Sequence, residues 1–168
     1  MNKVLIIIAF NRFQDKEYTP PKEIFAKAGI AVTTASTQLG LATGKFGEKE
    51  KVDITLDQVK VSDYDAILFI GGPGSFDLYD NPTCHQIAQE TIKQGKILAS
   101  ICAGPGILAK AGVLKGKKAT MFEDTGVLKQ NGATYTGKEV EIDGQIITAT
   151  GPDTAKAWAG AIVKALGN

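Results

Sequence analysis

The chain has 168 residues, which fits one domain spanning 1–168 with enough length to bury a core that needs no staples. Hydrophobic residues make up 43% and charged residues 22%, which excludes a disordered chain, and 19 basic against 18 acidic side chains leave a formal charge of +1, which gives no electrostatic footprint for nucleic acid or an anionic membrane. No run approaches the roughly 18 apolar residues of a membrane span, one histidine excludes a multi-histidine metal site, and two cysteines, Cys84 and Cys102, exclude both a disulfide framework and a four-cysteine zinc site.

Residues 4–10 form a continuous apolar run of strand length, as expected for a strand buried on both faces of a parallel sheet. The run is too short, and too soon followed by Asn11-Arg12, to read as a secretory signal, so a reduced, cytoplasmic protein is expected. Thr19-Pro20-Pro21 predicts a helix capped by Thr19, with Ile24, Phe25 and Ala28 as its apolar stripe and Gly29 as its stop. Residues 30–35 predict a second strand, and the glycine-containing, charged segment 40–53 a polar hairpin or exposed loop. A third buried strand over 66–70 runs into the turn Gly71-Gly72-Pro73-Gly74. Asn81-Pro82 opens a helix that runs to Gly95, followed by a strand over 96–101 and a helix over 103–111. The later part predicts a strand near Ala119, a turn at Asn131-Gly132, and a hairpin with arms 139–142 and 145–149 joined through Asp143-Gly144. A last helix over 153–166 is predicted with Asp153 as its cap.

Strands alternating with helices imply right-handed βαβ units, hence a mostly parallel sheet with helices on both faces. Ligands gather at the carboxyl ends of such strands. Three segments should meet there: the stretch carrying Glu17, the Gly71–Gly74 turn, and Cys102. Cys102 stands between a predicted strand and a predicted helix in Ser100-Ile101-Cys102-Ala103-Gly104-Pro105, a strand–sharp turn–helix arrangement like a nucleophile elbow. A thiol at a helix N-terminus should have a lowered pKa. The alternative is a buried core cysteine.

The glycine turn matches neither dinucleotide nor P-loop spacing. Beside Cys102, the N–H of Gly72 with that of Ala103 could form an oxyanion hole. From its position alone Glu17 reads as a solvated carboxylate flanking a helix. His85 reads as a surface helix residue and Cys84 as a half-buried packing residue.

Phe13-Gln14-Asp15-Lys16-Glu17, Gly71-Gly72-Pro73-Gly74 and Ser100-Ile101-Cys102-Ala103-Gly104-Pro105, in that order and spacing, resemble the ThiJ/PfpI family of the glutamine-amidotransferase-like superfamily. The segment from Asp143 to Pro152 is similar to the family's closing strand and the entry to its last helix. The resemblance implies a flavodoxin-like three-layer α/β sandwich and a homodimer or larger assembly. It places the nucleophile on Cys102, the cysteine-contacting glutamate on Glu17, and substrate or oxyanion contacts on Gly71, Gly72 and Ala103. Members act as metal- and glutathione-independent glyoxalases, deglycases, proteases, chaperones or oxidation sensors.

The protease-like branch has His directly after the cysteine, where this chain has Ala103. The branch around the parkinsonism-associated protein has Ala there but a His further on, near Met121 of this chain, where none is present. Acyl transfer needs a base to accept and return a proton, so protease activity is not expected. What remains is a Cys102–Glu17 pair without metal or cofactor. It would act on a small carbonyl such as methylglyoxal or glyoxal, or alternatively serve as an oxidant-sensing or chaperone-like protective thiol without turnover.

Overall fold

In the computed structural model, which describes residues 1–167, the first apolar run splits between two cores. Leu5 and Ile7 of β1 (Lys3–Ile7) face one core, while Val4 and Ile6 face the other. This is what the period-two geometry of a strand demands when both of its faces are covered. Short β2 (Asn11–Phe13) leads into helix α1 (Asp15–Lys27), then β3 (Ala31–Ser36), the hairpin β4 (Gly40–Gly44) and β5 (Lys49–Val52), and β6 (Ile54–Thr55). β7 (Ala66–Phe69), α2 (Pro82–Lys93), β8 (Ile97–Ile101), α3 (Pro105–Lys110) and β9 (Lys118–Ala119) follow. The chain ends with α4 (Val127–Gln130), β10 (Thr134–Tyr135), β11 (Val140–Asp143), β12 (Ile146–Ala149) and α5 (Ala155–Ala165).

The main sheet has seven strands in the order β11-β12-β8-β7-β1-β3-β6. All its neighbours are parallel except β11 against β12. Taking the five central parallel strands in chain order, this is the flavodoxin-like arrangement, in which the order reverses beside β1 and leaves a crevice at the strands' carboxyl ends. Phe25 of α1 and Trp158 of α5 fill the core on one face; Ile87 of α2 and Ile107 of α3 fill it on the other. The fold is therefore the expected three-layer α/β sandwich.

Local boundaries differ from the expectation at α1, the late hairpin and the last helix, while the segment 40–53 is the expected hairpin. Helix α1 starts four residues before Thr19, with Gln14 as cap accepting from Lys16 N, and Pro20 and Pro21 lie inside it. The Thr19 hydroxyl donates to Glu48 at 2.5 Å instead of capping. Proline lacks an N–H, so Pro20 and Pro21 offer nothing to the carbonyls of Lys16 and Glu17, a loss the helix absorbs through its buried face. The segment 40–53 is a true antiparallel hairpin, and its first arm also pairs with β2 in a second, three-stranded sheet. In the late hairpin Asp143 pairs with Ile146, so the two central turn residues are Gly144 and Gln145. Gly144 carries the positive φ of 60°, the conformation such a turn requires at its first position. The last helix begins after Thr154, not at Asp153, because the residues 152–154 form a separate turn of 3₁₀ helix.

Candidate active site

Cys102 has φ 63°, one of two non-glycine residues with positive φ among the described residues. A side chain in that region costs about 1–3 kcal/mol and persists only where its surroundings impose it. Here Cys102 N donates to Ala149 O at 3.0 Å, and Phe122 N donates to Cys102 O at 2.9 Å. Gly104 completes the elbow: a Cβ there would lie 2.3 Å from Ser100 Oγ and 2.8 Å from Phe69 O. The helix that follows starts only at Pro105, so Cys102 is the outer corner of the turn and not a residue of the helix's first turn.

Gly71 and Gly72 close against this corner. A Cβ on Gly71 would lie 2.7 Å from Cys102 Cβ, so only glycine lets the two turns touch. Gly71 also joins the site to α1, since its carbonyl accepts from Gln14 N at 3.0 Å and its N–H donates to Glu17 Oε2 at 3.1 Å. Glu17, in the first turn of α1, is 0% exposed. The reading of Glu17 as a solvated carboxylate is corrected: α1 begins earlier than Thr19, and its first turn points Glu17 at the Gly71 turn after β7.

Glu17 and Cys102 act on each other. Burial pushes the Glu17 carboxyl up to about 7, against smaller downward pulls from the Cys102 thiol, the Gly71 N–H and the Lys45 ammonium. The other carboxyl oxygen, Oε1, has no hydrogen-bond partner of ordinary geometry among the described residues. The thiol is therefore near enough to alter the carboxyl's proton affinity without closing a regular hydrogen bond.

Cys102 is only 7% exposed, and burial followed by the negative carboxylate pushes its thiol up, while the N–H groups of Gly72 and Ala103 pull it down. The expected lowering at a helix N-terminus does not occur, because the helix starts three residues later and burial outweighs the N–H donors. The repulsive part disappears when Glu17 is protonated. The two groups thus titrate as a pair, and the first proton leaves that pair near pH 7.

The sulfur opens into a pocket of about 430 Å³ lined by Gln14, Lys45, Gly72, Phe76, Ala103 and Phe122, among others. Its wall is mostly apolar, with two aromatic rings, Phe76 and Phe122, that are 54% and 57% exposed. Sequence reasoning did not select Lys45, Phe76 or Phe122. Lys45 sits at the tip of the β4–β5 hairpin between Gly44 and Gly47, a turn signal, but only the tertiary anchor reveals its direction. Asp15 accepts from Phe46 N at 2.8 Å and Glu48 N at 2.9 Å, and Lys45 N donates to Phe13 O at 2.7 Å, which hold the tip over α1.

The other reactive residues lie outside the site. Cys84 is fully buried rather than half-buried, in the core under α2, and burial pushes its thiol up to about 12. His85 places Nε2 2.6 Å from Tyr79 O, where a ring N–H donates to the carbonyl, and brings no imidazole to Cys102. Among the described residues no cluster of three or more His, Cys, Asp or Glu could hold a metal ion.

A strained cysteine elbow, a buried carboxyl on its sulfur and two converging N–H groups, at the carboxyl edge of a flavodoxin-like sheet, define a thiol–carboxyl site of the nucleophile-elbow class. The chain belongs to the DJ-1/PfpI family, whose pattern it matches over residues 2–165. It is 36% identical over 165 residues to a deglycase of Pyrococcus horikoshii, with 98% of this chain and 99% of that one covered. It is 34% identical over 165 residues to Deglycase PfpI of Pyrococcus furiosus, covering 96% and 98%. The solved structure of a ThiJ/PfpI domain protein from Brachyspira murdochii superposes with a TM-score of 0.97 at 32% identity, covering 99% and 97%.

Proposed function

We propose that this chain is a cysteine-dependent enzyme of the deglycase and glyoxalase type. It would convert small reactive carbonyls, with methylglyoxal as the simplest, into hydroxy acids by means of Cys102 and Glu17 and without metal or glutathione. The observation that carries the reading is the wholly buried Glu17 carboxyl, held near pH 7 beside the Cys102 sulfur. A general acid–base works best when its pKa lies close to the operating pH. Relatives named deglycases support the same class of activity.

The chemistry follows from the layout. The Cys102 thiolate adds to the aldehyde carbon, and the new oxyanion receives the N–H groups of Gly72 and Ala103. Glu17 takes the proton from that carbon and returns it to the neighbouring ketone carbon, so the first carbon is oxidised to a thioester and the second reduced to an alcohol. Water then cleaves the thioester, giving lactate and restoring the thiol. The net change is addition of one water to methylglyoxal, with no external oxidant or reductant. The partners that suit this reading are a small carbonyl compound and, by family resemblance, a second copy of the chain.

Replacing Cys102 with serine should lower lactate formation from methylglyoxal at least ~100-fold, because an alcohol is a far weaker nucleophile than a thiolate. A chiral assay of lactate against time measures this, and equal rates in the two proteins would reject the reading.

The lack of an imidazole at Cys102 favours a second reading, in which the thiol is a sensor or protective group without turnover. Two equivalents of peroxide would convert the thiol to a sulfinic acid and release two waters. The Glu17 carboxyl would then donate its proton to a sulfinate oxygen. Peroxide that adds two oxygens to Cys84 and none to Cys102, read by peptide mass spectrometry, would exclude that reading.

A further inference from the structure

The two N–H groups that converge on Cys102 come from separate segments. Gly72 caps the 3₁₀ helix at Pro73–Leu78, whereas Ala103 belongs to the elbow. No covalent geometry sets the distance between them. At the far end of the 3₁₀ helix, Tyr79 turns back and donates its hydroxyl to Ala103 O at 2.6 Å. We propose that Tyr79 is a positioning residue: a strut from the Gly72 segment to the elbow that holds the two oxyanion donors in register.

Three further contacts fix the strut itself. The Tyr79 ring fills the space left by Gly106, where a Cβ would lie 2.1 Å from its ring and hydroxyl. Its own carbonyl receives His85 Nε2–H at 2.6 Å, so the chain's sole histidine braces this residue from α2. Its ring lies 5.0 Å from that of Phe76, which lines the pocket. The hydroxyl is part-buried and its proton affinity is raised by burial and by the charge of Cys102, which places it close under the site without lining the pocket. A part-buried phenol that lost its acceptor would pay part of the desolvation cost, so the bond resists loosening.

For its rate prediction this inference rests on the carbonyl-enzyme reading; for its thiol prediction it does not. Tyr79→Phe keeps the ring and removes only the strut. Deleting an oxyanion donor outright typically costs ~100-fold or more in kcat, so misaligning the pair should lower kcat for methylglyoxal roughly 10- to 100-fold. KM should stay within about twofold, because only the transition-state interaction is lost. The N–H groups favour the thiolate, so the pH inflection of Cys102 carbamidomethylation by iodoacetamide, read by peptide mass spectrometry, should move up by about one pH unit.

Gly106→Ala displaces the same ring from the other side and should shift the thiol profile in the same direction, which keeps the test open if one variant fails to fold. An unchanged inflection in either folded variant overturns the strut. If the unsubstituted chain makes no lactate but Tyr79→Phe shifts the thiol profile, the carbonyl reading fails and the strut stands. If the chain makes lactate and both variants match it in kcat and thiol profile, the strut fails and the carbonyl reading stands.

Discussion

Glu17→Gln should make the protein more stable at about pH 8 by about 3 kcal/mol, and leave its stability unchanged below about pH 4. The carboxyl is wholly buried, and its proton is held up to about 7 against an ordinary value of 4.5. A carboxyl raised on folding contributes stability that is fully present below 4.5 and is lost as pH rises through about 7. The glutamine keeps an oxygen for the Gly71 N–H, and its amide carries no charge to desolvate. For a chain of this length the gain corresponds to a melting temperature roughly 10 °C higher at about pH 8. Thermal melts of both proteins across this pH range measure it. Parallel curves for the two proteins would show that Glu17 ionises in the fold without cost. The same substitution removes the proton carrier, so stability and lactate formation should move in opposite directions, as happens where a strained site serves function.

Gly72→Ala should be the most damaging of single-methyl additions in the site. Gly72 has φ 101°, and a Cβ would lie 2.5 Å from Gln14 N, 2.8 Å from Arg12 O and 2.9 Å from Phe13 C. All three are backbone atoms and cannot turn aside. Backbone strain of about 1–3 kcal/mol adds to an overpacking cost of about 1–3 kcal/mol, so roughly 4 kcal/mol is expected. Gly47→Ala is the matched control: φ is 92° but nothing lies within 4 Å of the added carbon, so only the strain remains. Urea denaturation should separate the two variants by at least ~2 kcal/mol. Equal losses would mean that the β2 segment yields to Gly72, and that the oxyanion donor is not rigidly held.

The sheet was legible in the sequence because burial on both faces leaves an unbroken apolar run, as in Val4 to Ile8 and Ala66 to Ile70. The elbow was legible because Ala103 and Gly104 beside Cys102 let the backbone turn tightly between a strand-forming and a helix-forming segment. Helix α1 was misplaced because Pro20-Pro21 is a strong start signal, while the actual start depends on Gln14 and on Gly71, a residue far along the chain. That one shift decides Glu17, which is a flanking residue if the helix begins at Thr19 and a buried site residue if it begins at Asp15. The thiol's proton affinity was misjudged for a related reason. The helix N-terminus is a local feature, but burial and the facing carboxyl come from the assembled sheet. The two rings of Phe76 and Phe122 likewise carry no local pattern; exposed phenylalanines acquire meaning only when two loops place them at one pocket.

The central claim is that the Glu17 carboxyl and the Cys102 thiol are coupled, the negative charge on the carboxylate raising the proton affinity of the sulfur. The direct measurement is the pH dependence of Cys102 carbamidomethylation in the unsubstituted chain and in Glu17→Gln, followed by peptide mass spectrometry. In the unsubstituted chain the carboxylate that forms as pH rises through about 7 opposes the thiolate, so the inflection should lie above the free-thiol value of about 8.5. In Glu17→Gln the carboxylate is gone, so the inflection should move to lower pH, with burial and the N–H groups of Gly72 and Ala103 left to set it. The same inflection in both proteins, or a move to higher pH in Glu17→Gln, would contradict that coupling and leave Cys102 an uncoupled thiol.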